Sequence, residues 1–270
     1  MIVTVVTPTF NAAEYLRECI ASTRANQTSD IEIDHVVVDG GSTDGTVALA
    51  RACGARVMVG KDKGIFDAIN KGSFNSEGEL LGFLGADDVM LPGGMQAVVD
   101  TYHRSGRRWV SGGIRWIDEK GRGLGALAAP PSWMSARTLA CLGWNPVMHM
   151  GTYFSREFFV ELGGFDISFR DSADYEMFSR ARAITPYARI ARPVACFRRT
   201  GANNSAVNGE RTRRENLAVL ERFGPRSRLE QQATRYALKA WFNAANPAWC
   251  ATKLAEPLRL GLGLQRHAYF

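Results

Sequence analysis

The stretch Leu80-Leu81-Gly82-Phe83-Leu84-Gly85-Ala86-Asp87-Asp88 constrains the fold more than any other part of this chain. Its apolar run shows no alternation, as expected of a parallel strand covered on both faces. The run ends abruptly in two adjacent carboxylates. Acids at the end of a buried strand are costly without a positive partner, and ligands of open α/β sheets bind at that edge. Two readings follow. In one, Asp87 and Asp88 hold a divalent cation that in turn holds a diphosphate. In the other they form a solvated turn, with Asp88 capping the helix after Pro92.

The chain around this stretch alternates strand and helix with short links, the pattern of a mostly parallel sheet with helices on both faces. Residues 2–6 read as a strand and Thr7-Pro8-Thr9-Phe10-Asn11 as the loop after it, with Asn11 and Glu14 forming a capping box. Leu16, Cys19, Ile20 and Thr23 share one helix face. A strand from Ile33 to Val38 ends in Asp39-Gly40-Gly41-Ser42-Thr43-Asp44-Gly45-Thr46, and its helix runs to Ala52 with Gly54 as the stop. A short strand, Arg56 to Val59, leads through Lys61-Asp62-Lys63-Gly64 into a helix from Ile65 to Asn70, closed by Gly72. After residue 106 the order changes. Residues 109–117 and 124–128 flank a hairpin turn, and Met148 to Phe154 reads as a strand. Ser155 caps a helix to Leu162. Asp171-Ser172-Ala173-Asp174 opens another helix, and Tyr187 to Arg198 is extended. Residues 211–223 and 229–243 read as basic helices, which suggests a core domain over 1–204 and a helical extension over 205–270.

Composition narrows the class. A hydrophobic share of 46% with 22% charged residues suits a soluble globular chain, and no apolar run is long enough to span a bilayer. The start lacks a basic region and a small-residue cleavage site, so a signal peptide is not expected. Five scattered cysteines without a C-x-x-C pair suggest reduced thiols and a cytoplasmic setting, and argue against a zinc site. Gly121-x-Gly123-x-x-Ala126 follows a hairpin turn and opens no helix, so it is not a dinucleotide fingerprint.

What remains is a set of carboxylates at strand ends. Asp39 either accepts hydrogen bonds from a nucleotide or stabilises its own loop as an Asx turn. Asp174 is either a helix N-cap or a general base near the cation. A diphosphate leaves only when its developing charge is neutralised, which a carboxylate-bound divalent ion does. Glycoside hydrolysis needs instead two carboxylates flanking the bond and no metal.

Five segments in order carry a specific resemblance. They are Thr7 to Asn11, Val38 to Thr46, Asp62 to Gly72, Ala86-Asp87-Asp88, and His149 to Phe154 with Gly163 through Glu176. Over about residues 2–200 the chain resembles family 2 glycosyltransferases, which have the GT-A nucleotide-diphospho-sugar transferase fold. The resemblance implies that Thr7 and Asp39 bind base and ribose, and that Asp62 lies beside the donor. Asp87 and Asp88 would bind Mn²⁺ or Mg²⁺ with the diphosphate. Asp174 would deprotonate the acceptor hydroxyl in an inverting transfer, with Asp171 as the alternative base and His149 lining the acceptor side. Many relatives carry Asp where this chain has Gly85 and Arg where it has Ile69, so Lys63 or Lys61 would supply the missing cation. These departures keep a non-catalytic nucleotide-sugar-binding protein in play. A sugar-1-phosphate nucleotidyltransferase would need a Gly-rich, Arg-containing loop after the first strand, which is missing.

Charge is uneven. Residues 205–270 hold 11 Lys and Arg against 5 Asp and Glu, and the whole net charge of +6 lies there. Arg211, Arg213, Arg214, Arg222, Arg226, Arg228 and Arg235 are followed by Tyr236, Trp241, Phe242 and Trp249 beside Lys239 and Lys253. This pattern suits an anionic membrane surface rather than nucleic acid. Since many relatives build cell-surface polysaccharide or glycan, a lipid-linked acceptor at the inner membrane face is the setting the resemblance implies. A pair of helices packed on the core, or an oligomer interface, are the alternative readings.

Overall fold

In the computed structural model, residues 1–200, 209–245, 247 and 251 are described. Four parallel strands form one half of a curled sheet: β1 (Ile2–Thr9), β2 (Glu32–Asp39), β3 (Arg56–Val59) and β4 (Leu80–Phe83), in the order β3-β2-β1-β4. Their interiors are Val, Ile, Leu and Phe, and β4 is buried at every position, as its unbroken apolar run predicts. The crossovers are α1 (Ala13–Arg24), α2 (Thr46–Ala52) and α3 (Ile65–Phe74). Because the strands are parallel, the loops after Thr9, Asp39, Val59 and Phe83 all leave the sheet at one edge.

The second half is mixed. It contains β5 (Val89–Met90), α4 (Gly94–Ser105), the hairpin β6 (Trp109–Ile117) and β7 (Gly123–Leu127), and the short α5 (Ala136–Ala140). Next come β8 (Thr152–Ser155), α6 (Arg156–Glu161), α7 (Ala173–Ile184) and β9 (Ala188–Arg198). The sheet continues β4-β8-β6-β9-β5, with β7 paired to β6. β8 is antiparallel to β4, with Gly82 opposite Tyr153. Its N-terminal end, entered through the 3-10 turn His149–Gly151, therefore lies at the acid-bearing end of β4. An aromatic core of Phe83, Trp109, Phe154, Phe159, Phe165 and Phe178 packs under this junction.

Three local expectations are corrected. Asn11 does not cap α1: it adopts a positive φ of 49°, and its side chain accepts from the Thr43 amide at 3.0 Å. The first amides of α1 are satisfied from the next loop, Ala12 by Thr46 Oγ1 and Ala13 by Asp44 Oδ2. Gly72 lies inside α3, not at its end. A Cβ there would sit 2.6 Å from Val6 Cγ1, so glycine lets the helix lie close on β1 and β2. The segment 148–151 is a turn rather than strand, and strand begins only at Thr152.

The basic helices are α8 (Gly209–Phe223) and α9 (Arg228–Ala245). α8 packs on α5 and α7, burying Val219, and α9 buries Leu238. Each such side chain contributes roughly 1.5–3 kcal/mol when fully removed from water. Trp241 is partly buried against the core. Trp249, Lys253 and the side chain of Phe242 lie outside the described residues. Among the described residues no helix is long and apolar enough to cross a membrane.

Candidate active site

Asp39 ends β2, fully buried. Its Oδ1 accepts from the amides of Gly41 and Ser42 at 3.0 and 2.7 Å, and its Oδ2 from the hydroxyls of Thr9 and Ser42 at 2.8 and 2.6 Å. Burial opposes ionisation, but the Ser42, Thr9 and Gly41 bonds outweigh it and hold the carboxyl below its ordinary range. In this structure Asp39 builds the Gly40–Ser42 loop, the Asx-turn reading, and does not face the cleft. Thr7 is also turned inward. Its hydroxyl lies 2.9 Å from His35 Nε2 and 3.9 Å from Cys19 Sγ, fully buried, so the side chain cannot touch a base.

Among the residues with surface open at this edge are Phe10, Gly40 and Asp62. Phe10 is 66% exposed. A Cβ added at Gly40 would lie 2.7 Å from Asp62 Oδ2 and 3.6 Å from the Phe10 ring, so the three border one patch. Asp62 Oδ1 accepts from the Gly64 amide at 2.8 Å and thereby shapes the turn before α3. Lys63 lies beside it, exposed, its amide bound to Asp67 Oδ2 at 2.8 Å. Sequence reasoning did not single out Phe10, although an aromatic following Thr9 at a strand end is a legible signal. Ile69, where the resemblance implies Arg, is buried in the core.

Asp87 and Asp88 follow β4. Asp88 does not cap α4: it is buried, and its Oδ1 accepts from the Arg198 amide at 3.0 Å. Arg198, itself buried, donates through Nε to the Asp87 carbonyl and through Nη2 to Glu18. β9 thus ties down the loop between β4 and β5. Burial, together with the nearby Asp87 charge, pushes the Asp88 carboxyl well above its ordinary range. A Cβ at Gly85 would lie 2.7 Å from Asp88 Oδ2 and 2.9 Å from Asp87 Oδ1. Two carboxylate oxygens therefore converge on the space that glycine leaves open. Hard oxygen donors with an excess of negative charge suit Mg²⁺ or Mn²⁺, whose other positions water and phosphate oxygens commonly fill. Among the described residues, no cluster of three His, Cys, Asp or Glu side chains surrounds them.

Asp174 lies in the first turn of α7. Its Oδ2 accepts from Asn145 Nδ2 at 2.9 Å, its Oδ1 from the Tyr175 amide at 2.7 Å, and His149 Nδ1 stands 3.9 Å from Oδ2. The side chain keeps 18% of its surface exposed. Burial raises its pKa to about 6 against the opposing effect of the Asn145 bond, and burial lowers that of His149 to about 4. At neutral pH this is a carboxylate beside a neutral imidazole. Asp171, the alternative base, is engaged elsewhere: both oxygens are bound by Arg211 at 2.7 and 2.8 Å, and its side chain is 1% exposed. One contact joins the Asp174 side to the donor side. Arg170, in the turn before α7, donates from Nη1 to the Lys63 carbonyl at 2.6 Å.

Comparison with known proteins bears on the fold and the family. The family model of glycosyl transferase family 2 matches residues 4–161. An uncharacterized glycosyltransferase of Mycobacterium tuberculosis is 30% identical over 235 residues, covering 83% of this chain and 87% of that protein. A PGL/p-HBAD biosynthesis glycosyltransferase of Mycobacterium bovis is 28% identical over 236 residues, covering 82% and 86%. Among solved structures, the mannosyltransferase PcManGT from Pyrobaculum calidifontis, in complex with GDP-Man and Mn²⁺, superposes with a TM-score of 0.60 at 20% identity. That match covers 96% of this chain and 80% of the other. The architecture is the GT-A fold, and the chain belongs to glycosyl transferase family 2.

Proposed function

We propose that this glycosyltransferase moves a sugar from a nucleotide-sugar donor to an acceptor hydroxyl with inversion, dependent on Mn²⁺ or Mg²⁺. The observation that carries the reading is the bond from Arg170 to the Lys63 carbonyl. It ties the turn four residues before Asp174, a partly buried carboxylate with a pKa of about 6, to the loop that the donor would occupy.

In this reading Asp62 and Phe10 bind the donor at the ends of β1 and β3, and Lys63 offers a cation to its diphosphate. Asp87 and Asp88 would hold the divalent ion, which when bound supplies the charge that stabilises the departing diphosphate. Asp174 is ionised above its pKa and accepts the proton of the acceptor hydroxyl as that oxygen attacks the anomeric carbon. Asn145 fixes the carboxylate's orientation. His149, neutral and 3.9 Å away, lines the acceptor side without competing for the proton. The convergence of Asp87 and Asp88 over Gly85 supports a working cation site despite the acid absent at Gly85. The non-catalytic alternative, which also rests on Ile69, predicts donor binding without release.

The acceptor in this reading is a cell-surface glycan or lipid-linked molecule. The Mycobacterium bovis relative is named for PGL/p-HBAD biosynthesis, which supports that class. The outer side of α9 supports a membrane setting at the inner face. Leu229, Ala233, Tyr236 and Ala240 share one outward face, where Leu229 is 78% and Tyr236 71% exposed. Arg228, Arg235 and Lys239 flank it, the arrangement of an interfacial helix on anionic lipid. NMR of the sugar first released from an α-linked UDP-sugar tests the stereochemistry: the β-anomer supports inversion, and the α-anomer contradicts it.

A further inference from the structure

The turn that carries Arg170, Asp171 and Ser172 into α7 is held from outside the region that the family model matches. Glu215, on α8, accepts the Arg170 amide on Oε1 and the Asp171 and Ser172 amides on Oε2, each at 2.8 Å. These amides lie in the turn that leads into α7, with Ser172 at its N-cap. One turn earlier on α8, Arg211 holds the Asp171 carboxylate through two bonds, and Thr212 adds a third. Two turns later, Arg222 pairs with the buried Glu176 at 2.9 Å. Residues 211, 215 and 222 lie on one helix face, and all three engage the start of α7. The same turn extends the Arg170 guanidinium to the Lys63 carbonyl.

We propose that Glu215 is a positioning residue for the transfer. It fixes the Arg170–Ser172 turn so that Asp174 stands at a set distance from the donor loop at Lys63. The inference rests on the reading of Asp174 as the base. A misplaced base costs rate much more than donor affinity, because orientation matters in the transition state while donor contacts lie elsewhere. The basic segment would then serve the chemistry as well as any surface it meets, since Arg211 and Arg222 are used internally.

Among the described residues, the titratable and charged groups near Asp174 include His149 on the 3-10 turn, Glu215 and the Arg211–Asp171 pair from α8 and the preceding turn, and Arg235 of α9 beside Gly143. Glu215's negative charge favours the protonated form of Asp174. Its removal therefore moves the acid limb of the rate profile, if it moves at all, to lower pH, and a fall in kcat with donor KM held is what separates a positioning role from a structural cap.

The test uses the full chain with Mn²⁺ and the fastest of UDP-glucose, UDP-GlcNAc and GDP-mannose, following nucleoside diphosphate release. For Glu215→Gln we expect kcat to fall about tenfold with donor KM within about twofold, and any movement of the acid limb to be downward. Amide exchange at Arg170–Ser172 should accelerate while exchange in β1 and β4 stays slow. Glu215→Asp should recover part of the rate. Faster exchange with unchanged kcat would leave Glu215 a structural cap and overturn the inference, as would unchanged exchange. A wild type that releases nucleoside diphosphate from none of the donors overturns the transferase reading itself, a separate failure.

Discussion

Asn145 donates to Asp174 across 29 residues of sequence, with its amide nitrogen 2.9 Å from Oδ2. The bond favours the charged carboxylate and burial favours the neutral acid, and burial prevails to leave the pKa at about 6. Asn145→Ala should therefore move the acid limb of kcat/KM to higher pH. Asp174→Asn should keep donor affinity and lose about 10²–10⁴ in rate, the usual worth of a general base. Full activity in Asp174→Asn would assign the base elsewhere.

The raised pKa also has a cost in stability. Between pH 4 and 6 folded Asp174 holds a proton that the unfolded chain has lost, so its contribution falls as pH rises through that window. Asn cannot ionise. Asp174→Asn should thus be more stable than wild type at pH 8, by roughly 1–3 kcal/mol, with the difference vanishing near pH 4. Thermal melts of both proteins at the two pH values decide this. A variant less stable at pH 8 would mean that the carboxylate is better solvated than its surroundings indicate.

Asp88 is buried, so its substitution tests more than a surface charge. Asp88→Asn keeps an acceptor for the Arg198 amide and removes a charge that its site disfavours. It should melt no lower than wild type at neutral pH, yet lose Mn²⁺-dependent donor binding. Gly85→Ala should weaken the cation in another way, since its Cβ would meet Asp88 Oδ2 at 2.7 Å and Asp87 Oδ1 at 2.9 Å. Calorimetric titration with Mn²⁺ and UDP measures both. Undiminished Mn²⁺ dependence in Asp88→Asn would remove Asp88 as a ligand.

The parallel half was legible because each strand carries a short apolar stretch, unbroken in β4, and each crossover helix carries one apolar face. The acid pair at the end of β4 was legible for the same reason. Roles set by distant residues were not. Asn11 has the local signature of a cap, but Thr46 and Asp44 from the next loop satisfy α1 instead. Gly72 looks like a stop only until Val6 and Val38 are seen against it. Thr7 and Asp39 sit at strand ends, where either side chain could face the cleft, and their burial depends on His35, Thr9 and Ser42. Asp171 and Asp174 are equivalent acids in sequence, and Arg211, about forty residues later, distinguishes them.

The outer face of α9 predicts binding to anionic vesicles. The full chain should sediment with phosphatidylserine-containing vesicles at low salt and be released at high salt, because screening shortens the reach of surface charge. Replacing Leu229 and Tyr236 by Ser should weaken binding while leaving the melt unchanged, since both side chains are largely exposed. Sedimentation independent of vesicle charge, or none at any ionic strength, would assign this face to another partner.

Release of nucleoside diphosphate from a panel of UDP-, GDP- and dTDP-sugars, with and without Mn²⁺, tests the central claim most directly. The arrangement of Asp62, Asp87, Asp88 and Asp174 predicts turnover of at least one donor with Mn²⁺, its loss on chelation, and its loss in Asp174→Asn with donor binding intact. Donor binding without release from any sugar, with or without the metal, would contradict it.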